Sequence, residues 1–361
     1  MIKSAYVHIP FCKSICSYCD FCKMLYHEKF IDEYLLALTK EIKTNYKNEL
    51  LDTLYVGGGT PSSLSIKLLT KLLDILKSFN LSDNYEFTFE CNISDINEEF
   101  LKVIKKYKIN RLSIGIESFD EENLKFLNRK STYDDAKEKI SLCKKYGFNN
   151  INVDLIYALP SENINTLKSD LDKIISLDVT HISTYSLMIE PNTLLMVKNI
   201  KPINEKLDKK MYDVICKTLK DNGFNHYEIS NFSKPNYESK HNLVYWHNEK
   251  YYGFGLGASG YIQDFRYNNT KNFKSYISGK FLSDKESIAN KDNISYGLIL
   301  GFRLVKGISV KNFFSKYDVD LLENEKILKL LKNKKLILKN GYLSINKKYL
   351  YVENEILIGF I

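Results

Sequence analysis

Arginine is scarce in this chain: Arg111, Arg129, Arg266 and Arg303 are all it has among 52 basic residues. The formal charge of +8 therefore comes from lysine, scattered beside asparagine and isoleucine rather than gathered in one stripe. Nucleic-acid grooves need a basic stripe, so the charge reads as a solvated surface and no nucleic-acid partner is expected. Proline (6) and glycine (16) are also few in 361 residues, which excludes a collagenous or long disordered stretch. No run reaches the ~18 apolar residues of a membrane span. The N-terminus, MIKSAYVHIPFC, lacks an apolar segment followed by a small-residue cleavage site. A cytoplasmic protein with no integral membrane segment is expected. The 7 cysteines are an odd number, and Cys12, Cys16, Cys19 and Cys22 crowd into eleven residues. In a large chain with no export signal, that pattern means metal or catalysis rather than a disulfide framework.

What is present has a rhythm. Six short β-rich runs begin near Ala5, Thr53, Tyr85, Arg111, Asn150 and His181, and segments such as FIDEYLLALTKEI and SIKLLTKLLDILKSF follow with helical spacing. Alternating strand and helix implies a parallel sheet. Six units are too many for a small doubly wound motif and too few for a full barrel, so the expected fold is α/β, a partial (β/α)6 barrel. It should occupy residues 1–200. An aromatic-rich extension over 201–290 should close it, and a helical, winged-helix-like module over 291–361 should follow, with a hairpin at Asn340-Gly341. Chemistry on such a barrel belongs at the carboxyl ends of the strands.

Cys12-Lys-Ser-Ile-Cys16-Ser-Tyr-Cys19 is C-x3-C-x2-C directly after the first strand. Three thiolates can hold three irons of a four-iron four-sulfur cluster and leave the fourth iron open. The amino and carboxylate groups of S-adenosylmethionine could chelate that corner. The spacing alone leaves two alternatives: a zinc site completed by Cys22, His8 or His27, which would make the chain a zinc-stabilised scaffold, and a closed four-cysteine cluster. Cys91, Cys143 and Cys216 sit in apolar or helical contexts and read as buried hydrophobes. Gly57-Gly58-Gly59-Thr60-Pro61 ends the second strand, where glycine lets backbone approach a ligand.

The segments YVHIPFCKSICSYCDF, YVGGGTPS, RLSIGIESFD and NVDLIYALP resemble the radical S-adenosylmethionine superfamily. The resemblance is to the branch holding oxygen-independent coproporphyrinogen III dehydrogenase and its heme-chaperone relatives. It implies Cys12, Cys16 and Cys19 as cluster ligands and Gly58, Gly59 and Thr60 against the methionine moiety. Tyr6 and Tyr18 are implied beside the cluster and nucleoside, and Glu90, Arg129 and Asp154 on the amino-acid and ribose parts. Glu117 stands where the family has glutamine; it keeps the acceptor and loses the amide donor. The dehydrogenase branch carries another cysteine two residues after the third cluster cysteine, where this chain has Phe21. HYEISNF at His226 and HNLVYW at His241 are similar to chaperone segments, implying heme held through or beside His241; the alternative is that this aromatic segment plugs the open side of the barrel, with His241 hydrogen-bonded and Trp246 packed. Ser131 and Ser259 replace histidines usual in the chaperones. The function implied is a heme chaperone that passes heme to an acceptor hemoprotein linked to membrane respiratory enzymes, with the electron donor unspecified. The alternative is a coproporphyrinogen III dehydrogenase.

Overall fold

The computed structural model describes residues 1–360. Six parallel strands run β1 (Ser4–Ile9), β2 (Leu50–Gly58), β3 (Asn80–Asn92), β4 (Arg111–Glu117), β5 (Asn150–Tyr157) and β6 (His181–Ser186), each beside its predecessor. Helices α1 (Glu28–Asn45), α2 (Ile66–Leu76), α3 (Glu98–Lys106), α4 (Glu121–Leu127), α5 (Tyr133–Lys145) and α6 (Ile164–Ser176) supply the crossovers. Most start where the sequence offers a capping side chain. Ser65, Asn97, Asp120, Thr132 and Asn163 each accept a backbone N–H of the first turn, and Thr132 forms a capping box with Asp135. Such caps contribute about 1 kcal/mol each.

Residue alternation divides the strands into two unlike faces. Ala5, Val7, Ile9, Leu54, Val56, Phe87, Phe89, Leu112, Ile114, Ile151 and Val153 are buried on the face that meets the helices. The opposite face carries Ser4, Tyr6, Thr53, Tyr55, Glu86, Thr88, Glu90, Arg111, Ser113, Asn152, Asp154, His181 and Ser183. Barrel interiors are usually filled by branched apolar side chains. A polar interior of this kind costs stability unless every group is partnered, so it marks the lumen as the working surface.

The sheet has nine strands, where sequence periodicity showed six. β8 (Asn231–Ser233) adds antiparallel to β6, β7 (Asn225–Glu228) pairs antiparallel with β8 at the edge, and β9 (Tyr252–Phe254) adds parallel to β1. Strands of three or four residues in an aromatic, glycine-rich stretch complete too few periods to be read from sequence. Beyond them, helices over Asn290–Gly301, Val310–Tyr317 and Glu325–Lys332 precede a hairpin of Leu336–Lys339 and Tyr342–Ile345. Its two-residue turn has positive φ at both Asn340 and Gly341, as a type I′ turn requires. Among the described residues no helix is long and apolar enough to cross a membrane.

Candidate functional site

At the carboxyl ends of β1 to β6 lies a cavity of about 460 Å3. Its wall includes Cys12, Cys16, Cys19, Tyr18, Gly58, Gly59, Thr60, Glu90, Glu117, Arg129 and Asp154. Residues scattered over 140 positions of sequence are thus brought to one surface.

The thiol loop is fastened on two sides. Ser17 donates its N–H to Leu127 O (3.3 Å) and its hydroxyl to Phe126 O (2.8 Å), and Asn128, the left-handed cap of α4, donates to Ile15 O (2.9 Å). On the other side α7 (Leu194–Val197) gives the Leu195 N–H to Ser17 O, and Leu195 packs in a small apolar cluster with Leu127, Ile156, Leu159 and Tyr18. Two sulfurs already accept hydrogen bonds: Cys12 from the Thr60 hydroxyl at 3.6 Å and Cys16 from Arg129 Nη1 at 3.7 Å. Burial pushes the Cys12 thiol up to about 11, against the pull of Thr60. Cys22 does not face the cavity; its sulfur lies against Gly257. Among the described residues no three His, Cys, Asp or Glu side chains come together as one metal ion would need. A cubane cluster makes no such demand, because its three thiolates bind three different irons.

The glycine run is shaped by what lies behind it. A Cβ on Gly57 would sit 2.6 Å from the Glu90 carboxylate, and one on Gly59 would sit 2.7 Å from the Pro10 backbone. Gly58 has φ +117 and donates its N–H to Glu90 Oε2 at 2.9 Å, while Tyr55 donates to Oε1 at 2.8 Å. Burial pushes Glu90 up to about 7. Arg129 crosses β4 over Gly115, whose missing Cβ makes room, and donates to Gly115 O (2.6 Å) and Asn92 Oδ1 (3.0 Å). Glu117 Oε1 stands 3.4 Å from Arg129 Nη2, and burial still holds Glu117 up to about 7. Glu117 also has φ +73, a conformation uncommon outside glycine, at an irregularity in the β4–β5 pairing. Backbone strain at a strand end beside paired charges is characteristic of functional surfaces. Asp154 accepts from Asn152 at 2.8 Å, and burial raises its pKa.

Two expected residues lie elsewhere. Tyr6 lines a second cavity of about 280 Å3, shared with Tyr55, Glu90, His241 and Tyr245, and its hydroxyl is bonded to His8 Nδ1 (2.9 Å). His241 is buried in helix α8 (Lys240–Trp246) with both ring nitrogens engaged, Nδ1 with Thr53 Oγ1 (2.7 Å) and Nε2 with Tyr245 OH (2.8 Å). Of the expectation of heme held through or beside His241, this bears on the first half alone: neither ring nitrogen is free, and burial depresses its pKa to about 3. Helix α8 plugs the amino end of the barrel, where Glu86 accepts the His241 N–H (3.1 Å) and the Lys240 N–H (3.1 Å). Lumen residues with no role read from sequence are Arg111, Ser113, Asn152 and Ser183. Their two-residue spacing on β4, β5 and β6 was the available signal; it was masked because small polar residues in a strand usually mean a solvent face.

The buried acids and histidines set a pH profile for the metal-free chain. Glu90, Glu117 and Glu228 are raised to about 7 and Glu162 and Glu353 to about 8 by burial, from 4.5. The folded chain then holds protons that the unfolded chain has released, so stability falls as pH rises from 4.5 to about 8. His8, His226 and His241 are lowered from 6.5 to between about 3 and 4, which removes stability as pH falls below 6.5. Between pH 6.5 and 8 the glutamates outweigh the histidines, whose unfolded-state protons are by then half or more released. The melting temperature should drop across that interval, and Glu162→Gln should flatten the slope; a rise in wild-type Tm from pH 6.5 to 8 would contradict the assignment.

A partial barrel with three thiols on one mouth loop and a glycine strip beside them defines a class, the radical SAM proteins. The family model for the Radical SAM superfamily matches residues 6–174. Heme chaperone HemW of Lactococcus lactis subsp. lactis is 39% identical over 344 residues, covering 92% of this chain and 90% of that protein. The protein of that name from Bacillus subtilis is 39% identical over 338 residues (89% and 88%), and that from Escherichia coli K12 is 31% identical over 317 (84% and 83%). The solved coproporphyrinogen III oxidase HemN of Escherichia coli superposes with TM-score 0.86 at 21% identity, covering 99% of this chain and 90% of that one, and so shares the fold. The chain belongs to the HemW family within the radical SAM superfamily. Membership implies a four-iron four-sulfur cluster and S-adenosylmethionine as cofactors, and the thiols, cationic fork and carboxylates of the cavity fit both.

Proposed function

We propose that the chain is a heme chaperone, binding heme and transferring it to an acceptor hemoprotein from a radical SAM scaffold. The observation that carries this reading is the identity of up to 39% across nine-tenths of relatives bearing that name. The cavity mouth supports it. Phe21 and Met188 line the opening yet are 65% and 66% exposed, and Leu194, Met196 and Val197 are exposed on α7, whose Leu195 is bonded to the thiol loop. A flat apolar macrocycle is the kind of ligand such a rim suits. Phe21 also occupies the position where the dehydrogenase branch has cysteine.

In this reading Cys12, Cys16 and Cys19 ligate the cluster, with Thr60 and Arg129 donating to two of the sulfurs. When bound, the cluster supplies one-electron chemistry toward the sulfonium of S-adenosylmethionine. The chain's own groups hold that ligand in place: Glu90 and the Gly58–Gly59 backbone face its ammonium, Arg129 its carboxylate, and Asp154 its ribose hydroxyls. Tyr18 and the Ile156 wall exclude water from the pocket. Hemin titration tests the assignment. A stoichiometric Soret shift that survives replacement of all three cysteines by serine is expected. Conversion of coproporphyrinogen III to protoporphyrinogen IX with consumption of S-adenosylmethionine would overturn it in favour of the dehydrogenase.

A further inference from the structure

Arg111 is the largest fully buried side chain of the protein, 2% exposed, and it begins β4 at the deep end of the lumen while lining the main cavity. Its only hydrogen bond among the described residues is from Nη1 to Thr88 Oγ1, long at 3.5 Å, and its Nε has no partner. No carboxylate oxygen among the described residues lies within 4.0 Å of its guanidinium nitrogens. The two nearby lumen acids are committed elsewhere: Glu90 to Tyr55 and Gly58, Asp154 to Asn152. The other polar groups around it are satisfied too, since Asn152 Oδ1 accepts from Ser183 (3.0 Å) and is bonded to His181 Nδ1 (2.6 Å).

A guanidinium taken out of water costs several kcal/mol unless an anion meets it. Even the part-exposed Arg303 is paired with a carboxylate of the fold, Glu353 at 3.0 Å. Arg111 has a planar fork with donors to spare and an open cavity in front of it. A chain that otherwise uses lysine almost throughout has placed an arginine here, and arginine is the side chain that reads a carboxylate by two parallel hydrogen bonds.

We propose that Arg111 is the anchor of a carboxylate-binding subsite at the floor of the barrel lumen, which receives a propionate arm of the macrocycle held at the apolar mouth. The choice of macrocycle rests on the proposed function. The shared chemistry is a carboxylate, and the amino-acid end of S-adenosylmethionine is its other source. Arg129 stands at the mouth beside Cys16, so that end already has a cation of its own.

The full-length protein is titrated with hemin and with hemin dimethyl ester, whose propionates are masked, and with S-adenosylmethionine and its decarboxylated analogue. Hemin should bind about tenfold or more tighter than its ester, the worth of one charge-assisted carboxylate contact. Arg111→Gln should erase that preference, and Arg111→Lys, which keeps a buried cation and guards against misfolding, should keep part of it. Loss of the S-adenosylmethionine preference instead would assign the same subsite to that ligand's carboxylate. Equal binding of hemin and ester by wild-type protein, with the S-adenosylmethionine preference unchanged in Arg111→Lys, overturns the subsite while leaving the chaperone reading intact. No binding of either heme compound overturns both.

Discussion

Serine at positions 12, 16 and 19 together is expected to strip the anaerobically reconstituted protein of iron and acid-labile sulfide while leaving its far-UV circular dichroism unchanged. The separation of the two effects follows from where the loop sits. Its backbone is fastened by Ser17, Asn128 and Leu195, none of which needs a sulfur atom. Only Cys12 is deeply buried, and serine there remains within reach of the Thr60 hydroxyl, so the fold loses little. The cluster loses every ligand, since Cys22 faces Gly257 and Cys91 is buried with its thiol donating to Phe89 O. Thr60→Val is the graded control. It deletes one donor to a ligating sulfur and should cost about tenfold or more in cluster retention, the usual effect of an outer-shell contact. Iron and sulfide retained at full stoichiometry by the triple variant would place the cluster elsewhere. Zinc in place of iron in the wild type would return the chain to a scaffold role.

The barrel and the thiol loop were legible in the sequence because each rests on a local pattern. Strands such as Ala5-x-Val7-x-Ile9 alternate cleanly, and α2 and α3 carry their apolar stripe between a capping Ser65 or Asn97 and a polar end. Cys12, Cys16 and Cys19 announce themselves by spacing alone. The ligand roles of Glu90, Arg129 and Asp154 came only through resemblance, since nothing local distinguishes a lumen carboxylate from a helix cap. The segment around His241 was ambiguous for a related reason. HNLVYW carries histidine and aromatics, which suit a heme as well as they suit a packed helix, and the partners of His241, Thr53 and Tyr245, come together only in the fold. Arg111 was invisible because burial of a charge is a tertiary fact. Its position at the start of a strand gives no hint that the chain leaves it without a partner.

Arg129 carries the second large effect. Its guanidinium is wedged between the thiol loop and β4, touching Cys16 Sγ, Asn92 Oδ1 and Gly115 O, with Glu117 3.4 Å away. Arg129→Ala should weaken S-adenosylmethionine binding about 10- to 100-fold, the worth of about 1.5–3 kcal/mol for hydrogen bonds to a charged group. It should also lower stability by about 3 kcal/mol, because Glu117 is left buried without its cation. The two losses have different remedies. Glu117→Gln removes the orphaned acid, so the double variant should regain most of the stability and none of the affinity. Glu117→Gln alone should bind S-adenosylmethionine at least as well as wild type, since the amide keeps an acceptor and adds a donor. Arg129→Lys should recover little, because an ammonium cannot reproduce a fork that spans Asn92 and Gly115 while facing a carboxylate. Calorimetric titration and thermal melts on the four variants complete the cycle. If affinity returns in the double variant, Arg129 serves only to neutralise Glu117, and the ligand's carboxylate is held by another group.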